Sequence, residues 1–124
     1  MLVSILLSRD TRLQKCAIDD TAHVTEGERG SHVRLIQLAL TITDNADIAG
    51  ADLASSSYGA STKAAVLAYK TKRQIINRSY QSTPDAIVGK MTIASLDAEV
   101  AARETRNLAM GAGRPGADIT TKRD

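Results

Sequence analysis

The chain has 124 residues, with 16 Lys plus Arg against 14 Asp plus Glu and a formal charge of +2. Charged residues make up 24% and apolar ones 43%, the balance of one globular domain around a single core. Near-neutral charge removes the electrostatic case for a nucleic-acid partner, three tyrosines as the only aromatics remove base stacking, and no apolar run approaches the roughly 18 residues of a membrane span.

The core must therefore be built from Leu, Ile, Val and the 19 alanines, whose small side chains let helices approach closely. Residues 2–7 are apolar but too few for a secretory signal, and nothing basic precedes them. They are expected in the core, as a short strand or the opening of a helix. A first helix is expected over 9–17, with Leu13, Cys16 and Ala17 on one side. Over 31–42, Val33, Ile36 and Leu40 together with Leu35, Ala39 and Ile42 make a wide apolar stripe, as a buried helix has. Gly30 precedes it and Ser31 is expected to cap it. A third helix is expected over 60–76, carrying Ala65, Val66, Tyr69 and Ile76 on its apolar side. A fourth, over 90–108, aligns Ile93, Leu96, Val100 and Leu108, and becomes polar past Val100, so its end should project. Two connections, 43–57 and 77–85, separate these helices, and Pro84 argues against a helix across the second. Beyond 108, Gly113-Arg-Pro-Gly116 and its neighbours read as an irregular tail that a partner could order.

One device occurs twice, 30 residues apart. Tyr58-Gly59-Ala-Ser-Thr62-Lys-Ala-Ala-Val66 and Val88-Gly89-Lys-Met-Thr92-Ile-Ala-Ser-Leu96 share a glycine, a threonine three residues on, and an apolar residue four further on. Glycine permits a tight turn into a helix, and a first-turn threonine hydroxyl can reach unpaired backbone N–H groups. Val66 and Leu96 then enter the core. Gly30, Gly59, Thr62, Gly89 and Thr92 are thus expected to be structural.

These blocks, taken with Gly27-Glu-Arg-Gly30, Val33-Arg-Leu-Ile36-Gln37-Leu-Ala-Leu40, Tyr58 to Tyr69 and Asp85-Ala86-Ile-Val88-Gly89, resemble the peptidoglycan-binding-like domain that accompanies many bacterial cell-wall hydrolases. The resemblance spans about residues 9–100. Ala86 stands where that family usually has glycine, Lys70 stands where a glutamine commonly follows the aromatic, and both connections are longer. The resemblance implies an all-α, compact three-helix orthogonal bundle over 9–108, with an added N-terminal segment (1–8) and an irregular tail (109–124). It implies a non-catalytic module binding peptidoglycan glycan or stem peptide at a shallow groove between helices, with no cofactor. Arg34, Gln37, Tyr58, Lys70, Arg73 and Tyr80 are the expected ligand contacts. Tyr69 is expected in the core.

From Leu53 to Pro84 no acidic residue occurs, while Lys63, Lys70, Lys72, Arg73 and Arg78 contribute five positive charges. That run is either a solvated face or a patch for an anionic partner. His23 and His32 lack metal-ligand spacing, so no metal site is expected. Cys16, on an apolar helix side, reads as a buried thiol, and Asp19 as a turn-closing residue. No carboxylate pair or nucleophile motif supports an enzyme. The module would act at the wall or in the periplasm without a recognisable secretory signal, alone or with a hydrolase. The alternative is a subunit of a phage-tail-like or contractile injection assembly, held by its tail and cytoplasmic until released.

Overall fold

The computed structural model describes residues 1–76 and 84–112, with side chains as far as 107. Among the described residues the architecture is all-α. Six helices follow in order: α1 (Ile5–Ser8), α2 (Thr11–Ile18), α3 (Ser31–Asp44), α4 (Gly50–Ser55), α5 (Ala60–Arg73) and α6 (Lys90–Ala112), with a 3-10 turn at Asp20–Ala22. α6 packs against α1, α2 and α3, and α3 packs against α1 and α5. No described helix is long and apolar enough to cross a membrane. One cluster of buried side chains runs through all of this, from Leu2, Leu7, Leu13 and Cys16 to Val33, Ile36, Leu40, Val66, Tyr69, Ile93, Leu96 and Val100.

The caps explain where helices start and stop. The Ser4 hydroxyl accepts the Leu7 N–H and the Asp10 carboxylate accepts the Leu13 N–H, which opens α1 and α2. Ser31 is not the cap of α3. Gly30 occupies that position, and the Ser31 hydroxyl donates instead to Asp10. Gly30 has φ 139° and ψ −179°, a backbone conformation that excludes almost every residue with a Cβ. Asn45, Ser56 and Gln74 end α3, α4 and α5 in the left-handed conformation. The last of these corrects the expected core. α5 stops at Arg73, the left-handed Gln74 resets the helical phase, and Ile75 rather than Ile76 becomes the buried residue. Ile42, expected in the stripe of α3, is exposed, while Gln37 and Thr43 lie on the buried face. α4 lies inside the connection expected to be irregular. α6 continues to Ala112, so the segment expected to be tail from 109 is helical for four more residues. The second connection (77–83) and the tail beyond 112 lie outside the described residues.

The duplicated device has a shared partner. The segment at 24–29, which turns at Glu26-Gly27, forms an antiparallel bridge to each helix start, Val24 to Val88 and Arg29 to Ser57. Val24 and Val88 exchange both backbone hydrogen bonds, at 2.9 and 2.8 Å. Tyr58 N–H donates to the Glu28 carbonyl at 2.9 Å, and Gly27 N–H to the Tyr58 carbonyl at 3.0 Å. Gly59 and Gly89 then accept the first helical hydrogen bonds, from Lys63 and Ile93. Tyr58 and Val88, Thr62 and Thr92, Val66 and Leu96 are all buried, in matching positions.

The N-terminal segment is docked by its main chain. Leu2 and Leu7 point inward while Val3 and Ile5 are exposed. Asp97, itself buried, accepts the N–H groups of Val3 and Ser4 at 2.8 Å each. Glu104, two turns further along α6, accepts those of Ile5 and Leu6 at 2.8 and 3.0 Å. Two carboxylates thus satisfy four consecutive backbone donors at the start of α1, where the helix dipole also favours negative charge.

Candidate functional site

A cavity of about 470 Å³ opens where the 3-10 turn, the end of α5 and the start of α6 meet. Asp20 and His23 line one side, Lys70 and Ile75 another, and Asp85 and Ile87 a third. Its floor is the first turn of α6, Gly89 to Thr92. Charges alternate around it. Lys70 Nζ is 2.6 Å from Asp85 and also donates to the Ile87 carbonyl at 2.7 Å, with its side chain 7% exposed. Lys90 and Asp20 form a loose pair at 3.5 Å, both well exposed. His23 Nδ1 donates to the Asp20 carbonyl at 2.9 Å. Ile75, Ile87 and Met91 supply apolar wall. The cavity therefore sets the first turn of α6, two lysines with their carboxylates and aliphatic surface side by side.

The expected ligand contacts do not converge on it. Gln37 is fully buried, and its Nε2 donates to the Ser57 carbonyl and Thr62 Oγ1 at 2.9 and 3.0 Å. Its Oε1 is buried without a partner. Tyr58 is buried, with its hydroxyl donating to the Ala86 carbonyl, and burial pushes its ionisation upward. Both residues hold α3, the α5 start and the segment before α6 together, so neither is a surface contact. Arg34 is exposed and reaches the Leu53 carbonyl at 3.3 Å. Of the five that are described, only Lys70 lines the cavity. Tyr80 lies outside the described residues.

Arg73 sits elsewhere, at a junction of three helices. Its guanidinium lies 3.7 Å from the centroid of the Tyr69 ring, grips Asp44 at the end of α3 with bonds of 2.8 and 3.3 Å, and holds Glu99 of α6 through Nε and Nη2. The Tyr69 hydroxyl donates to Glu99 at 3.0 Å. Arg73 holds Glu99 below the usual carboxylate range. Burial works to raise Asp44, but the hydrogen bonds and charges of Arg73 and Lys72 outweigh it and bring it down too.

The cationic run is not a patch in space. Lys63 meets Glu26, Lys70 meets Asp85, Lys72 meets Asp44, and Arg73 meets Asp44 and Glu99. Every described cation of the run has a carboxylate from a distant part of the chain. Arg78 lies outside the described residues.

Cys16 is buried, its thiol donates to the Val88 carbonyl at 3.4 Å, and burial pushes its pKa to about 11, so it stays a thiol. His32 contacts Glu28, which also holds Arg12 and the Thr25 N–H. Among the described residues no group of three or more His, Cys, Asp or Glu could hold a metal ion. Thr62 does not use its hydroxyl on backbone N–H groups as expected, because that oxygen accepts from Gln37. Asp20, His23, Lys90 and Met91 were not legible as site residues. The one sequence signal for them was that the duplicated device reads Ala-Ser after its first glycine but Lys-Met after its second. No protein-family model, curated protein or solved structure matches the chain.

Proposed function

We propose that the chain is a non-catalytic wall-binding module of the peptidoglycan-binding-like kind, with α3, α5 and α6 as its three-helix orthogonal core. The observation that carries this reading is the pair of glycine-led helix starts bridged to one segment at 24–29. That arrangement accounts for all three sequence blocks of the resemblance at once. The cavity at the start of α6 is the groove that would accept glycan or stem peptide, and the exposed Arg34 is a second point of contact. Such a module raises the local concentration of a partner hydrolase at the wall. Purified sacculi incubated with the folded protein at low salt test this. Enrichment on the sediment is expected, and none over a control protein of equal charge overturns it.

A second reading, a subunit of a phage-tail-like or injection assembly, has its own observation. Thr105, Arg106 and Asn107 are exposed in succession on α6. Three adjacent exposed positions span about 200° of the helix circumference, so more than half of this stretch is open among the described residues. A large assembly would cover it. Co-purification with native particles, lost on removing residues 110–124, is the expected result under that reading.

A further inference from the structure

The break between α1 and α2 rests on one residue. Arg9 has φ −85° and ψ −8°, already in the helical region, and Thr11 begins α2. Asp10, at φ −92° and ψ 117°, is extended. Its carboxylate accepts the Leu13 N–H at 2.9 Å and the Ser31 hydroxyl at 3.3 Å, and these two bonds hold the bend. No glycine or proline occurs from residue 1 to 26, so no other residue there enforces a bend. The arm before the bend is attached by contacts that do not involve Asp10. Gln14 exchanges hydrogen bonds with the Leu2 main chain at 3.0 and 3.3 Å, Asp97 and Glu104 take the next four N–H groups, and Leu2 and Leu7 sit in the core.

We infer that Asp10 is a hinge: turned to helical angles, it joins α1 and α2 into one helix over 5–18, and the arm so carried off docks on α6 of a second copy of the chain, which gives its own arm in return. The change at the hinge is nearly balanced. The Asp10 cap is lost. In exchange, the N–H groups of Thr11 and Arg12, which have no intrahelical partner in the first turn of α2, gain the Leu7 and Ser8 carbonyls, and the Leu13 N–H takes the Arg9 carbonyl. A monomer opened at the hinge would expose Leu2 and Leu7 and leave the buried Asp97 without its two donors. A second copy removes that cost. Residues 1–8 fit this groove whichever copy supplies them, and every contact they make with the body of the domain is remade between copies. Both copies carry the same arm and the same dock, so the exchange is two-fold and closes as a dimer. It is independent of what the cavity at the start of α6 binds.

The test is the association state of the full chain, read by sedimentation after refolding over a range of concentrations. The parent should stay monomeric until its concentration approaches the one at which a short link holds the arm beside its own body, on the order of millimolar. Asp10→Ala removes the cap and favours helix at the hinge, so it should tighten the dimer by about 25-fold, which is about five-fold at each of the two hinges. Two glycines inserted between Arg9 and Asp10 interrupt the joined helix and slacken the link, and should leave only monomer. In the Asp10→Ala dimer the Thr11 and Arg12 amides should be protected from hydrogen exchange. A dimer formed from isotope-labelled and unlabelled copies should place the Val3 and Ser4 amides of one copy against Asp97 of the other. An Asp10→Ala chain that stays monomeric, a dimer undiminished by the inserted glycines, or arm contacts confined to one copy would overturn the inference.

Discussion

Asp97→Ala removes the acceptor of two backbone N–H groups and should be the most damaging single polar substitution in the N-terminal half of the interface. Both bonds are 2.8 Å long and charge-assisted. The Ser4 N–H is buried and cannot recover a water, which by itself costs about 1–3 kcal/mol. The Val3 N–H is only partly buried and recovers part of its loss. Losing a negative charge at the start of α1 adds a few tenths of a kcal/mol. The sum is about 3 kcal/mol, and a domain of this size loses roughly 3–6 °C per kcal/mol, so the midpoint should fall by about 10 °C. Thermal unfolding with amide exchange at residues 3–6 is the assay, and Asp97→Asn, which keeps one acceptor oxygen, should lose about half as much. The same substitution in a chain lacking residues 1–4 should cost little, because the donors are gone. A midpoint within about 3 °C of the parent, with the Ser4 amide still protected, would refute the reasoning.

Arg73→Met should make stability less sensitive to acid. Asp44 and Glu99 have folded pKa values below their ordinary ones, so their contribution is present at neutral pH and is lost as pH falls through the folded values. Parent and variant should therefore converge as pH falls from about 5 to below the ordinary carboxylate range in urea titrations, and parallel curves would contradict the junction. Gly30→Ala should cost about 2 kcal/mol, since φ 139° with ψ −179° suits no residue with a Cβ, as a shift in denaturation midpoint would show. Gly59→Ala and Gly89→Ala should differ. The first drives a Cβ into Asp52 and should cost about 1 kcal/mol more than the second, which meets open space. Gly89→Asp should stabilise by a few tenths of a kcal/mol as a helix cap, and a lower midpoint would count against the open first turn of α6.

Helix positions were legible wherever apolar periodicity was strong. Val33, Ile36 and Leu40 in α3 and Ile93, Leu96 and Val100 in α6 are buried as their spacing requires. Boundaries were less legible because left-handed caps at Asn45, Ser56 and Gln74 carry no glycine to announce them. α4 escaped because Leu53 is the one large apolar side chain in its six residues, too few to make a face to read. The candidate site was poorly legible for a different reason. Polar residues in a helical pattern look exposed, yet Gln37 and Lys70 are buried because partners 15 to 25 residues away hold the Gln37 amide nitrogen and the Lys70 ammonium. A charge run such as that from Lys63 to Arg73 looks like a patch only until distant carboxylates fold onto it. Pairing of that kind depends on tertiary packing, which local pattern does not encode.

The carboxylates that hold the N-terminal segment touch main chain alone, and this has a consequence for what can vary there. The side chains of Val3 and Ile5 take no part in the grip, so almost any residue can stand at either position without loosening it. Proline is the exception, since it lacks the one hydrogen that Asp97 or Glu104 needs. The segment is tethered by a feature common to nearly all amino acids, and its attachment can persist while its letters drift.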